Sequence, residues 1–222
     1  MNRRGLVIFS SVVVGALLVL SAWAWLRLPA DAEVPIHWGP SGQVDGYASK
    51  TVGLFLMPLV TLGVAALLWV IPIIEPRRAN LEKSGKAYAA IWVAVVLMLA
   101  AIDVVAVAAA MGAELDMTLI VFVATGAVFI VIGNYLPKVR SNYLMGIRTP
   151  WTLTSELSWT KTHRVGGRLF VLEGLVFILV GLLRPAPEAL VVVLIGGIGV
   201  MLVFVFAYSY RVWKSDPVKR PV

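Results

Sequence analysis

The sequence predicts an all-α integral membrane protein with six transmembrane helices and both termini in the cytoplasm. Three observations carry this reading. Of the 222 residues, 60% are hydrophobic and only 14% charged, against about 45–50% and about 25% in ordinary globular chains. The mean hydropathy is +0.90, and the apolar excess sits in long unbroken runs. The basic side chains gather in alternate connections between those runs. This composition excludes a water-soluble enzyme, a disordered regulator and a disulfide scaffold. With no cysteine, no disulfide, Fe–S cluster or thiolate zinc site is available.

A helix crossing about 30 Å of hydrocarbon needs about 20 apolar residues, since each rises about 1.5 Å. Six stretches meet or approach this: Leu6 to Leu26, about Val52 to Ile74, about Tyr88 to Met111, about Met117 to Leu136, Leu169 to Leu183, and about Ala189 to Tyr210. The first resembles a signal peptide, with Arg3 and Arg4 before it and Ala30-Asp31-Ala32 after it. Its apolar core exceeds the roughly 7–15 residues of a signal h-region, so an uncleaved anchor is expected. The fifth is short, and it spans if Arg168 and Arg184 snorkel or if the helix begins earlier. Sixteen Lys and Arg residues fall at the N-terminus, in the second and fourth connections and in the tail, against Arg27, Lys50 and Arg184 on the other side. That asymmetry orients both termini inward. Residues 1–80 form an N-terminal region with two helices and an outer loop, and residues 81–222 a second region with four helices.

Two connections carry most of the polar information. In the outer loop, residues 27–51, Val34 and Ile36 alternate with Pro35 and His37, a short extended piece. Gly39-Pro40 and Asp45-Gly46 then mark tight turns. In the inner loop, residues 137–168, Pro137 ends the fourth helix and Pro150 holds Thr149 extended. Thr152 is the expected N-cap of a short interfacial helix reaching about His163. Leu153, Leu157 and Thr160 share one side of it, and Glu156, Trp159 and His163 another. Gly166-Gly167 is expected to hinge into the fifth helix.

The run Gly133-Asn134-Tyr135-Leu136-Pro137-Lys138, then Asn142, Gly146-Ile147-Arg148-Thr149-Pro150-Trp151-Thr152-Leu153, Trp159-Thr160-Lys161-Thr162-His163-Arg164, Gly167 and Glu173-Gly174 closely resembles the SdpI-like membrane family. The outer loop, with His37, Gly42, Asp45, Gly46 and Lys50, resembles the small domain of unknown function that often precedes it. The resemblance implies a toxin-immunity and signalling protein of the bacterial inner membrane. The family's namesake protects against a secreted killing peptide and holds a cytosolic winged-helix autorepressor at the membrane. By that analogy the partners are membrane lipids, a secreted toxin peptide and a cytosolic winged-helix repressor, with no direct nucleic acid binding.

The expected partner-binding residues are Asn134, Arg140, Asn142, Arg148, Thr149, Trp151, Trp159, His163, Arg164 and Glu173, and those of the outer loop are His37, Trp38, Asp45 and Tyr47. Arg140, Arg148, Lys161 and Arg164 with Trp151 and Trp159 form the best working surface, because cations interleaved with indoles suit phospholipid headgroups or an acidic protein face. Asp103, in the third helix, is costly in hydrocarbon, so it is expected to face the bundle, either in an interhelical hydrogen bond or as a functional carboxyl. Glu173 is expected to pair with Arg148 or Arg164, as a structural tie or as a switch. Gly167, Gly174 and Gly181 recur every seven residues, and Gly126 and Gly133 repeat the spacing, so the fourth and fifth helices are expected to pack along these stripes. His37 and His163 lie on opposite sides, and His37 with Asp45 is too few ligands for a metal site. No phosphate loop, HExxH or paired-carboxylate motif appears. No metal, cofactor or catalysis is expected. The alternative reading is a small transporter or lipid-handling protein using Asp103 and Glu173.

Overall fold

The computed structural model describes residues 2–220. Among them, six helices are long and apolar enough to cross a membrane. The elements are α1 (Arg3–Arg27), β1 (Glu33–Trp38), β2 (Val44–Ser49), α2 (Lys50–Ile74), α3 (Arg78–Lys83), α4 (Gly85–Ala110), α5 (Met117–Tyr135), α6 (Pro150–Thr154), α7 (Glu156–Leu183), α8 (Pro187–Val191) and α9 (Ile198–Lys214). A six-residue π-helix, Val192–Gly197, joins α8 to α9, and the three pieces form one span, Pro187–Lys214.

In α1 the Asn2 side chain accepts from the Gly5 amide at 3.0 Å and caps the first turn. Leu6, Ser10, Val14, Leu17, Ser21 and Ala24 recur every three or four residues and form its buried stripe. The two serines on that stripe have specific work. Ser10 Oγ accepts from the Trp92 indole at 2.8 Å, and Ser21 Oγ donates to the Leu54 carbonyl at 2.7 Å. That carbonyl is four residues before Pro58, which has no N–H to give it. The second interior proline of α2, Pro72, likewise orphans the Leu68 carbonyl, and the Tyr88 hydroxyl of α4 donates to that one. Both breaks in α2 are therefore closed by hydroxyls from the two helices packed against it, which is how membrane helices tolerate proline.

The connection from α1 to α2 departs from the all-α expectation. Its extended piece is one arm of an antiparallel hairpin, with Glu33 opposite Ser49, Val34 opposite Ala48 and Pro35 opposite Tyr47, and an irregular register around His37. The turn closes through Gly39 N–H to the Gln43 carbonyl and Gly42 N–H to the Gly39 carbonyl, both 2.9 Å, with Gly42 at φ 78°. Val34, only 1% exposed, presses on Gly53 of α2 where no Cβ would fit, so the hairpin is clamped to the end of the bundle.

The glycine stripes meet as the spacing predicts. A Cβ on Gly126 would lie 2.5 Å from the Gly174 carbonyl oxygen, and one on Gly133 would lie 2.5 Å from that of Gly167. The approach is reciprocal, since Cβ atoms on Gly174 and Gly167 would meet the Gly126 and Gly133 carbonyls at 2.5 and 2.7 Å. Backbone rests on backbone along this α5–α7 seam.

The expected interfacial helix from Thr152 to about His163 is not formed. Thr149 caps a five-residue α6, and the Ser155 side chain accepts from Ser158 N–H to start α7 at Glu156. From there α7 runs unbroken to Leu183, so the fifth span begins earlier than its apolar run. Gly166 and Gly167 are not a hinge. They lie buried inside this helix, where a Cβ would collide with Ile147 and with Pro137 and Gly133. The glycines serve contact, not flexibility.

The bundle has two chemically distinct ends. The hairpin end gathers the hairpin, the α4–α5 turn and Arg184, whose guanidinium pairs with Asp116 at 2.8 Å. The opposite, basic end gathers the α2–α3 turn, residues 136–155 and both described termini. Arg220 N–H donates there to the Thr154 carbonyl at 3.0 Å.

Candidate functional site

At the basic end, residues 139–163 form a knot of satisfied polar groups. Asn142 is 0% exposed. Its Oδ1 accepts from Leu144 and Met145 N–H at 3.0 and 2.7 Å, and its Nδ2 donates to the Arg140 carbonyl at 2.8 Å. Gly146, at φ 105°, lies against the His163 ring with no room for a Cβ. Ile147 N–H donates to His163 Nε2 at 3.0 Å, while Nδ1 faces the Trp159 carbonyl at 2.8 Å. A carbonyl only accepts and an amide N–H only donates, so these partners select the neutral ring carrying its proton on Nδ1. Trp159 stacks on His163 with ring centroids 4.0 Å apart and donates from its indole to the Val139 carbonyl at 2.8 Å.

The last helix locks this knot. Thr149 Oγ1 donates to Ser209 Oγ at 3.0 Å, and Ser158 Oγ donates to the Ser209 carbonyl at 2.8 Å. Trp151 packs on Phe206 and Tyr210, with centroids 4.6 and 5.1 Å away. Beyond α9, Ser155 Oγ donates to Asp216 at 2.5 Å. That hydroxyl, with the Val218 N–H, holds the Asp216 carboxyl below the usual carboxylate range.

The α2–α3 turn supplies what the sequence reading missed. Glu75, 3% exposed, accepts from the Arg77 and Tyr143 amides at 2.8 and 3.1 Å. Arg77 donates to Ser141 Oγ, to Tyr143 OH and to the Leu153 carbonyl, and its guanidinium lies 4.5 Å over the Tyr143 ring. Glu75-Pro76-Arg77 read as an ordinary charged turn, and no periodic pattern marks its partners some 65 residues away.

The expected cation-and-indole surface is divided by burial. Asn142, Thr149, Trp159 and His163 are buried scaffold, whereas Arg140, Arg148, Lys161 and Arg164 are exposed. Arg148 donates to the Tyr143 carbonyl at 2.7 Å. Asn134 is exposed and bonds only within its own helix, to the Ile130 carbonyl. Glu173 does not pair with Arg148 or Arg164. It sits about two turns deeper than the basic end, its Oε1 has no partner among the described residues, and it presses on Gly197 of the π-helix. Glu173 lines a cavity of about 560 Å³ between α7 and the last span. Asp103 is 1% exposed and faces the bundle as expected; its Oδ2 has no partner among the described residues, so that oxygen makes no interhelical hydrogen bond, the structural one of its two expected roles.

At the hairpin end His37 Nδ1 and Asp45 Oδ1 lie 2.5 Å apart, both exposed. Among the described residues no three His, Cys, Asp or Glu side chains converge on a metal position. Tyr47 is exposed on β2, while Trp38 turns inward. Trp38 with Ile36 and Pro40 roofs a cavity of about 420 Å³, whose other walls include Val121 and Phe122 of α5 and Leu190 of α8. Its lining is mostly apolar, with His37 and Thr118 as polar members.

This architecture defines a multi-pass helical membrane protein with a hairpin-roofed cavity at one end and a hydrogen-bonded loop knot at the other. Residues 138–209 of the chain match the SdpI/YfhL protein family, and residues 12–62 match a domain of unknown function, DUF1648, as the resemblance in the loops implied. The first match runs from Lys138, at the end of the fourth span, to Ser209, the residue by which α9 holds the knot; the second takes in α1 from Val12 onward, the hairpin and half of α2. The family match suggests a membrane protein of the immunity type. No curated protein and no solved structure matches the chain.

Proposed function

We propose that the chain is a non-catalytic immunity protein of the bacterial inner membrane that recognises a membrane-active peptide at its hairpin end. One observation carries the reading, the apolar cavity under a clamped hairpin, set at the end of the bundle away from the basic cluster. A cavity of this size, walled by Trp38, Ile36 and Phe122, suits the apolar face of an amphipathic peptide better than a polar metabolite. The hairpin contributes exposed acids, Glu33 and Asp45, which favour a peptide with basic residues. Occupancy reaches the basic end through α5, whose Val121 and Phe122 line the cavity and whose glycines lock it to α7. The exposed cations Arg140, Arg148, Lys161 and Arg164 then present the surface for a cytosolic repressor.

The test is expression in a susceptible host challenged with a panel of membrane-active peptides. Protection that Val121→Trp abolishes, by filling the cavity, supports the reading. Unaltered sensitivity across the panel contradicts it. The unpartnered Glu173 carboxyl in its own intramembrane cavity favours a second reading, transport. It predicts a proteoliposome flux that Glu173→Gln abolishes and Val121→Trp leaves intact.

A further inference from the structure

A third polar feature at the basic end is used by neither reading. Asn2, the α3–α4 junction and the end of the fourth span enclose a groove of about 760 Å³ lined by Lys83, Lys86 and Lys138. All three lysines are exposed. None is in a salt bridge among the described residues. The one carboxylate in the lining, Glu82, is bound to Arg78 at 3.1 Å. Three lysines thus line one concavity whose one carboxylate is already paired with Arg78.

The backbone adds to the imbalance. Helix α4 opens into the groove with no side-chain cap and no acidic residue in its first turn. The hydroxyl of Ser84, the residue placed to cap it, is engaged elsewhere: it donates to the Asn80 carbonyl and accepts from Arg140 N–H, each at 2.9 Å. Lys86 stands in that first turn, where the partial positive charge of the helix end disfavours a cation. An anion in the groove would offset both.

We propose that this groove binds the phosphate of an anionic phospholipid headgroup. The position selects a lipid over a free anion. Ala89 and Tyr135 in the lining belong to membrane-spanning helices, so the groove opens beside the ends of two spans. Lys138 lies 4.8 Å from the centre of the Tyr135 ring, a basic–aromatic pair of the kind that marks headgroup depth. A basic pocket between spans at this depth meets a lipid phosphate with charge and its acyl chains with apolar wall. The site is independent of what the hairpin end recognises.

The test is native mass spectrometry of the detergent-purified full chain titrated with phosphatidylglycerol or phosphatidylcholine. The expected result is one tightly retained phosphatidylglycerol, with phosphatidylcholine bound more weakly. Lys83→Gln/Lys86→Gln/Lys138→Gln should weaken retention about fivefold per lysine, the effect of a basic side chain beside an anionic surface. Arg168→Gln/Arg211→Gln/Lys214→Gln removes the same charge from exposed positions outside the groove and should leave retention unchanged. Equal loss in both triple variants, or equal retention of the two lipids, would overturn the site. Displacement of the lipid by inorganic phosphate at matched concentration would overturn the lipid as its ligand and leave a free-anion site.

Discussion

Ser21→Ala isolates the coupling between α1 and the first proline of α2. Ser21 and Leu54 are both 0% exposed, and the Ser21 hydroxyl at 2.7 Å stands in for the amide that Pro58 lacks. Removing it leaves the Leu54 carbonyl without a donor. An orphaned buried acceptor costs about 1–3 kcal/mol, while interhelical hydrogen bonds measured in membranes average about 0.6 and reach about 1.7 kcal/mol. A loss of about 1–2 kcal/mol is therefore expected for Ser21→Ala. In a Pro58→Ala background the amide restored at position 58 can bond the same carbonyl, so Ser21→Ala should then cost less than about 0.5 kcal/mol, near the scale of ordinary surface substitutions. Reversible unfolding in mixed micelles, read by circular dichroism, gives the four corners of the cycle. The coupling should be about 1 kcal/mol, well outside the few tenths expected of independent sites. Equal cost of Ser21→Ala in both backgrounds would refute the reasoning. Tyr88→Phe with Pro72→Ala is the same experiment at the second proline.

Gly126→Ala should lower stability by about 3 kcal/mol, the upper part of the usual overpacking range, because its Cβ would meet a backbone oxygen that cannot rotate away. Gly15→Ala, in open space, should cost nothing, and equal melting of the two variants would count against the seam. Glu75→Gln should loosen the 141–145 segment by weakening charge-assisted bonds to two amides, which faster hydrogen exchange there would report. The depressed Asp216 carboxyl stabilises attachment of the tail fully above the unfolded carboxylate value of about 3.9, and that contribution is lost only as pH falls through the lower folded value. Exchange protection around residues 215–218 should hold from neutral pH to about pH 5 and fail in stronger acid, whereas Asp216→Asn should weaken it at neutral pH and remove this acid transition.

The six spans were legible because length and hydropathy decide them, and the glycine seam because a seven-residue period survives in sequence. The starts of helices were harder. Ser155 opens the fifth span well before the apolar run that begins at Leu169, and a polar first half of a helix carries no hydropathy signal. The hairpin was half visible, since Val34–His37 alternate but the pairing strand, with Gly46 opposite His37, lacks a strong pattern of its own. The candidate site was legible as a list of residues rather than as an arrangement. Burial separated Trp159 and His163, which hold the loop, from Arg140 and Arg164, which face outward. Ser209 and Glu75 came from helices remote in sequence, and only the packing of spans brings them to the knot.

The hairpin cavity and the loop knot are expected to face opposite sides of the membrane, the hairpin outside the cell. The chain has no native cysteine, so single substitutions at exposed Ser41 and Thr160 can be probed with a membrane-impermeant maleimide in intact cells. The account predicts labelling of Ser41→Cys at once and of Thr160→Cys only after permeabilisation. Labelling of Thr160→Cys in intact cells, or of both variants from one side, would contradict it.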